Sequence, residues 1–212
     1  NLNKIVKFNK IVDHSFVTTD PNVLKDRNKN LKNINFFFIP VDKNIETFDV
    51  YKMSPSKDLF YAMSHGVNRA SLKKGKIDER VIFLNKLIKK LNNIDYDFYG
   101  FNGAEPVWGN KFYKALTNCS MGLNLSRGNP TKYYTSNRIA SLMGNGQLTF
   151  IDKKTKINEI FNSNEAVFYN SIDDLSEKIN FYKQNKNISI KIAKKEKEKY
   201  FKLFNEKRIS QY

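Results

Sequence analysis

The fold is decided by residues 121–151, which read MGLNLSRGNPTKYYTSNRIASLMGNGQLTFI. Two short apolar runs, residues 121–125 and 148–151, enclose a polar loop and a segment with helical spacing. Ser136 is the predicted N-cap of that helix, and the run Gly144-Asn-Gly146 ends it. Two strands that are joined through a helix lie parallel in one sheet, so this stretch predicts a βαβ unit.

The same alternation extends in both directions from this unit. Helical patterns separate the apolar runs. The helix predicted from residue 78 has Asp78 and Glu79 at its start, as expected for capping positions, and Lys89 and Lys90 near its end. We therefore expect an α/β fold: a Rossmann-like, doubly wound parallel sheet with helices on both faces. The predicted strands lie at residues 58–63, 97–100, 121–125, 148–151 and 166–169.

Composition and proline placement divide the chain into predicted segments. Residues 1–39 read as a remnant of a preceding α/β domain that ends in a fully apolar run, residues 36–39, typical of a buried strand. Residues 40–57 hold prolines and little periodicity, which predicts a linker. Residues 58–185 form the parallel-sheet domain, and residues 186–212 form a basic C-terminal helix.

Length and composition exclude several classes of protein. The chain has 212 residues, 40% of them hydrophobic, which suits a folded domain and excludes a disordered segment. We expect no leader peptide, and no apolar run reaches the roughly 18 residues of a membrane span. The single cysteine, Cys119, excludes an internal disulfide and is expected to be buried, which fits a cytoplasmic location.

The net charge is strongly positive, because 37 Lys and Arg residues oppose 21 Asp and Glu residues to give +16. Such a chain attracts polyanions, which include nucleic acid, anionic lipid and phosphorylated substrates. The abundance of Lys, Asn, Ile and Phe is also typical of a low-GC genome. The charge therefore admits both a functional and a mutational origin.

Ligands of an open α/β sheet bind beyond the carboxyl ends of the strands, so the loops that follow strands are candidate sites. The first loop, residues 64–76, holds Gly66 and Arg69, a single imidazole at His65, and several lysines. Glycine lets backbone N–H groups approach an anion that the cations neutralise. The same pattern also fits a solvated basic loop.

The second loop, residues 100–109, is rich in glycine and holds the single tryptophan, Trp108, after Asn102 and Gly103. A nucleobase binds in a flat apolar slot with backbone groups at its edge. Trp108 is therefore expected either to border a base or to fill the core.

The third loop follows the strand at residues 121–125 and is the sharpest candidate. It is basic and leads into the predicted helix. A helix N-terminus presents unpaired N–H groups and a partial positive charge, and arginine grips phosphate oxygens in bidentate fashion. These features predict a diphosphate site, with a flexible basic loop as the alternative. The candidate residues are Arg127, Lys132, Ser136, Asn137 and Arg138.

Signatures of other enzyme classes are missing from the sequence: G-x-S-x-G, H-E-x-x-H, C-x-x-C and the glycine-rich phosphate loops. With two histidines and one cysteine, a protein-bound transition metal is not expected. No residue stands out as catalytic, and no cofactor is expected.

Residues 136–152, which read SNRIASLMGNGQLTFID, carry a family resemblance that extends over residues 96–182. They resemble the C-terminal domain of bacterial family-1-like GT-B glycosyltransferases (glycosyl transferases group 1), in which sNR-hydrophobic-x-E-x-x-x-x-G precedes an apolar strand and Asp. Ser141 stands where many relatives place a glutamate that hydrogen-bonds the donor. This departure leaves the identity of the donor open.

The resemblance implies a transferase that moves a sugar from a nucleotide-diphosphate donor to an acceptor, such as a surface polysaccharide or a lipid-linked saccharide. By position, Ser136 and Arg138 would meet the phosphates, as would Arg69 from the first loop, and residues 102–108 would border the base. GT-B enzymes usually need no metal, because helix dipole and basic side chains stabilise the leaving diphosphate.

The family also places most of the acceptor site in an N-terminal domain. We therefore expect this chain to be a fragment, with the acceptor-binding residues and the catalytic base outside it. The basic surface is expected to contact anionic lipid at the cytoplasmic face of a membrane.

Two other functions fit parts of the sequence. A nucleic-acid-binding module fits the charge and the aromatic residues beside Lys132, but no nucleic-acid motif accompanies them, so we disfavour it. Another sugar-nucleotide enzyme, such as an epimerase, needs carboxylates and histidine in the cleft. Charge focused at one crevice favours the transferase, a continuous basic groove favours nucleic acid, and two acids near His65 favour the epimerase.

Overall fold

The computed structural model describes residues 2–64, 71–72 and 76–211. The strands are β1 (Ser15–Val17), β2 (Ile34–Phe36), β3 (Lys57–Ala62), β4 (Ser71–Leu72), β5 (Lys76–Ile77), β6 (Tyr96–Tyr99), β7 (Cys119–Asn124), β8 (Leu148–Asp152) and β9 (Val167–Tyr169). The α-helices are α1 (Leu2–Asn9), α2 (Pro21–Lys25), α3 (Glu79–Ile88), α4 (Gly109–Thr117), α5 (Asn137–Gly144), α6 (Ile172–Gln184), α7 (Lys186–Phe204) and α8 (Glu206–Ile209). Single 3-10 turns lie at Val50–Lys52, Lys153–Thr155 and Ile157–Glu159.

The main sheet has five strands in the order β6-β3-β7-β8-β9, and every neighbouring pair is parallel. In this register Leu59 of β3 lies opposite Tyr96 on one side and Met121 on the other. The strands are apolar on both faces, as parallel strands between helix layers are. The predicted α/β class and the parallel sheet are therefore confirmed.

The two faces of the sheet are covered by different helices. Because successive side chains of a strand point to opposite faces, Leu59 and Tyr61 of β3 pack with α3 and α6, whereas Phe60 packs with α4 and α5. Leu84 of α3 and Leu142 of α5 are fully buried on these opposite faces. The chain is thus doubly wound, as the sequence predicts.

The side on which successive strands join the sheet changes beside β3, and this change creates a crevice. From β3 the chain passes to β6 on one side, and it then returns to β7 on the other side. The loops after β3 and β7 therefore leave the sheet toward opposite faces at their carboxyl ends. This is the topological switch point where doubly wound folds bind ligands.

The N-terminal part forms a separate parallel pair, β1 and β2, and the segment after β2 packs on α7. The ring of Phe38 stacks on Phe204 of α7 at 4.1 Å between centroids, and Tyr200 donates a hydrogen bond to the carbonyl oxygen of Ile39 at 2.7 Å. The prediction of a fully buried strand at residues 36–39 is wrong. Strand β2 lies at Ile34–Phe36, and only Phe38 of the predicted run is buried, because the run leaves β2 to meet α7.

Residues 40–57, predicted as a linker, pack against the turn after α5. Val50 is buried and donates its N–H to the carbonyl oxygen of Asn145, and the Tyr51 N–H bonds that of Gly146. The domain boundaries predicted before and after this segment stay predictions.

Two local predictions need correction. The stretch predicted as an irregular loop at residues 64–76 contains the short antiparallel pair β4–β5. The sequence of residues 157–161, with apolar residues at 157, 160 and 161, predicts a short helix, but the structure has a 3-10 turn there, Ile157–Glu159. Both elements are too short for hydrophobic periodicity to define them. Cys119 is fully buried as predicted, and burial raises the pKa of its thiol to about 12.

Gly100 makes the close contact between the loop after β6 and the end of β3. Its φ is +69°, and a Cβ at this position would lie 1.9 Å from the carbonyl oxygen of Met63. Gly103 in the same loop also has a positive φ, +85°, but a Cβ there would meet open space. The two glycines thus separate the effect of close approach from the effect of backbone conformation.

We predict that Gly100→Ala lowers the free energy of unfolding by about 2–4 kcal/mol, because it combines left-handed strain with a main-chain clash. Gly103→Ala, the matched control, should lower the free energy of unfolding only by the cost of the left-handed backbone conformation, about 1–2 kcal/mol. Urea unfolding measures both. Equal losses for the two variants would show that the contact with Met63 is not close.

Glu196 of α7 is a carboxyl group without a cationic partner among the described residues. It is fully buried, its Oε2 accepts the Thr149 N–H at 3.2 Å, and its Oε1 has no partner in the described part of the chain. Burial raises the pKa of Glu196 well above its ordinary value near 4.5. The folded state therefore keeps a proton that the unfolded chain releases above about pH 4.5, and this stabilising contribution is lost as the pH rises toward the folded pKa.

We predict that Glu196→Gln stabilises the protein at pH 7.5. The gain should shrink as the pH falls toward 5, by at most about 1.4 kcal/mol per pH unit, since only the wild type regains stability there. Unfolding at several pH values measures this, with Glu198→Gln on the exposed face of the same helix as the control. A gain that does not change with pH would mean that Glu196 is ionised in the folded chain.

Candidate anion-binding site at the switch point

A cavity of about 560 Å³ lies at the carboxyl ends of β3 and β7. Its walls come from the loops after the two strands, from the first turn of α5, and from Thr18 and Ile39 beside the N-terminal strand pair. The topology thus brings segments that are far apart in sequence to one crevice. The residues that line it are Thr18, Ile39, Ser64, Arg80, Ser126, Arg127, Tyr134, Thr135, Ser136, Asn137 and Arg138.

Helix α5 points its N-terminus into this cavity. Within the described residues, the backbone N–H groups of Ser136, Asn137 and Arg138 have no acceptor. The hydroxyl groups of Thr135 and Ser136 are buried and also lack partners there. Ser136 is the N-cap residue, as predicted, but its side chain makes no capping bond. A cluster of donors without acceptors at a helix N-terminus is arranged for an anion.

Arg138 brings a full positive charge to the same place. Its Nε donates to the carbonyl oxygen of Ala62 at 3.1 Å and its Nη1 to that of Leu125 at 2.8 Å. The guanidinium carbon lies 4.9 Å from the centre of the Tyr61 ring. No carboxylate of the described chain lies within 4 Å of it, and burial lowers the pKa of Arg138. The charge of Arg138 is thus left without a protein counterion.

A buried ion cluster stands on the other side of the cavity. Asp78, the N-cap residue of α3, is fully buried and accepts hydrogen bonds from both Arg80 and Arg127. The bonds from Arg80 and Arg127 hold the pKa of Asp78 well below its usual range. Three arginines and one aspartate make the described part of the site net positive, which suits a dianion.

The structure brings some of the predicted site residues together and separates others. Arg127, Ser136, Asn137 and Arg138 all line the cavity. Lys132 does not line the cavity, and its ammonium pairs with Asp20 at 3.3 Å. Gly66 and Arg69 of the first loop, with His65, lie outside the described residues.

The loop after β6 lies at the same edge of the sheet but outside the cavity. Trp108 is 65% exposed, so the expectation that it fills the core is wrong. Asn102 has a φ of +47° and donates its side-chain N–H to Asn85, and Gly103 follows it with an open surface. Their predicted contact with a base stays a prediction.

Sequence reasoning missed Arg80 and Thr135. Arg80 lies in the first turn of α3 and not in a loop that follows a strand, so the search for charged loops does not find it. Thr135 carries no charge and gave no signal. The start of α3 at Asp78 was predicted as a capping position, and the Arg80 N–H does donate to its carboxylate at 3.0 Å.

Neither a metal cluster nor a membrane span is found in the described part of the chain. No group of three or more His, Cys, Asp or Glu residues converges there. No helix of that part combines the length and the apolar composition that crossing a membrane requires.

The fold and the site together define a doubly wound α/β domain with a cationic crevice at its switch point. Solved structures with this fold include a mutant of TarM from S. aureus with fondaparinux, α-GlcNAc-glycerol and UDP (TM-score 0.69, 14% identity, 99% of this chain and 44% of that chain). HepE of Anabaena with UDP-glucose is similar as well (TM-score 0.70, 11% identity, 99% and 65%), as is a glycosyltransferase from Rickettsia africae (TM-score 0.65, 10% identity, 99% and 65%). These neighbours have the GT-B fold.

The sequence pattern of the glycosyl transferase-like family matches residues 80–212. Because the match covers more than half of the chain, this protein belongs to that family, as the resemblance indicates. A comparison with curated proteins finds no match. The chain spans 44% of TarM and 65% of HepE.

We predict that Ser136→Ala changes the free energy of unfolding by less than about 0.5 kcal/mol, although Ser136 is an N-cap residue, because its hydroxyl caps nothing in the free chain. Ser171→Ala at the start of α6 is the matched control, since the Ser171 hydroxyl accepts the Asp174 N–H at 3.1 Å. The control should lose about 1 kcal/mol in the same unfolding experiment. A similar loss for both variants would mean that Ser136 does cap α5.

Proposed function

We propose that the chain is the donor-binding part of a glycosyltransferase and that the switch-point cavity binds the diphosphate of a nucleotide sugar. The observation that carries this proposal is Arg138, a cation without a counterion in the described chain, beside the free N–H groups of α5. A diphosphate supplies both the negative charge and the acceptor oxygens that this arrangement lacks.

The same groups would support catalysis. In sugar transfer the nucleoside diphosphate leaves with an added negative charge, and donors already in place stabilise that charge without reorganising. The α5 N-terminus and the arginines of the cavity supply such donors, so the proposal needs no metal ion and no other cofactor. The catalytic base is unassigned.

For the rest of the donor, the exposed Trp108 and the open loop at residues 101–108 are candidates for the base. UDP is the first nucleotide to test, because structures of TarM and HepE contain it. Arg69, which the family resemblance assigns to the phosphates, would add charge from the first loop.

For the acceptor, we propose a saccharide, either part of a surface polysaccharide or linked to a lipid. Helix α7 presents exposed lysines, among them Lys191, Lys194, Lys195 and Lys202, that suit contact with an anionic membrane surface on the cytoplasmic side.

The alternatives are less well supported. Arg80, Arg127 and Arg138 all line the described cavity, and this clustering favours a compact anion over a nucleic-acid strand. An epimerase would need converging carboxylates, whereas Asp78 is the acid that pairs with the described cavity residues and is neutralised by two arginines.

We predict that UDP, GDP or one of their sugar conjugates raises the melting temperature, since a ligand of the native state stabilises it by about 2.7 kcal/mol at a hundred times its Kd. Arg138→Ala should abolish the ligand-induced rise, whatever its effect on the free protein. Arg208→Ala, an exposed arginine outside the cavity, is the control and should keep the rise. A rise with an oligonucleotide and with no diphosphate would refute the proposal.

A further inference from the structure

Asp78 is the most heavily bonded carboxylate next to the cavity. Its Oδ1 accepts from the Arg80 backbone N–H and from Arg80 Nε, both at 3.0 Å. Its Oδ2 accepts from Arg80 Nη2 at 2.7 Å and from Arg127 Nη2 at 2.9 Å. A fully buried carboxylate with this many donors is fixed in place, and it fixes the donors in turn.

The two arginines are held to different degrees. Arg80 is buried and grips Asp78 through two side-chain nitrogens, so its guanidinium has one orientation. Arg127 uses one nitrogen, and its side chain is 41% exposed on the cavity wall. Within the described chain the rest of its guanidinium has no partner, and those N–H groups are available to a ligand.

Arg127 also anchors its own loop. Over residues 126–130, the described structure shows no backbone hydrogen bond and no other side-chain hydrogen bond. Among the described residues, the contact with Asp78 is therefore the polar attachment of this stretch to the rest of the protein. It joins the loop after β7 to the start of α3.

We propose that Asp78 is a positioning residue of the donor site, which holds Arg127 and its loop at the cavity so that the free N–H groups of Arg127 meet the donor diphosphate. Arg127 keeps its bond to Asp78 in the complex. This inference rests on the proposed function. It adds a residue that touches no substrate and acts through Arg127.

A positioning role of Asp78 has a different effect on ligand affinity from that of a passive negative charge. Removing the negative charge of Asp78 makes the cavity more positive, and by Coulomb's law alone a dianion should then bind more tightly. If Asp78 positions Arg127, binding should weaken instead when its charge is removed. Part of the binding energy must then order Arg127 and its loop. The sign of the change in affinity therefore decides between the two.

The test is calorimetric titration of the chain with UDP, using Asp78→Asn, Arg127→Ala and the double variant. Asparagine keeps the size of the side chain and is itself a good N-cap, so α3 should persist. We expect each single variant to weaken binding about tenfold, and the double variant to bind like Arg127→Ala, since residues that act through one another are not additive. Asp174→Asn, an acid at the start of α6, is the control with unchanged affinity.

Unchanged or tighter binding by Asp78→Asn overturns the inference. Tighter binding would mean that Asp78 competes with the ligand for Arg127. Additive losses in the double variant overturn it too, because Asp78 would then act by another route. Should Asp78→Asn fail to fold, Arg127→Ala still decides: wild-type affinity in that variant refutes the inference. If the wild type binds neither UDP nor another nucleoside diphosphate, the proposed function itself fails, which is a different result from binding that ignores Asp78.

Discussion

The guanidinium of Arg138 bridges the carboxyl ends of the two central strands, and the site depends on this bridge. It bonds the carbonyl oxygens of Ala62 at the end of β3 and Leu125 just after β7. These are the strands between which the chain reverses its winding direction. Carbonyl oxygens accept hydrogen bonds from an arginine but do not neutralise its charge, so an uncompensated cation lines the crevice.

The other parts of the site follow from the same geometry. Helix α5 starts beside Arg138 and turns its free N–H groups toward the crevice, while Asp78 holds two more arginines across from it. The close packing at Gly100 brings the loop after β6 to the same edge. The strand order of the doubly wound sheet thus brings Arg80, Arg127 and Arg138 to one crevice.

Much of the fold could be predicted because strand and helix periods are local properties of the sequence. The five strands of the main sheet and the start of α5 at Ser136 were predicted from short apolar runs and turn residues. The partners of charged side chains could not be predicted, since they depend on contacts between residues far apart in sequence. Lys132 and Arg127 look equivalent in one basic loop, yet Asp20 draws Lys132 away, while Asp78 holds Arg127 at the cavity. The prediction of a buried strand at residues 36–39 failed for the same reason, because Phe38 lies beyond β2 and packs on α7, not within a sheet.

The most direct test of a diphosphate site at this bridge is to observe nuclear magnetic resonance signals of the backbone amides and arginine side chains during titration with UDP. The largest shifts are expected at the N–H groups of Ser136, Asn137 and Arg138 and at the Arg138 side chain, because these donors gain an acceptor. Shifts concentrated instead on the lysines of α7, with the first turn of α5 unchanged, would contradict it.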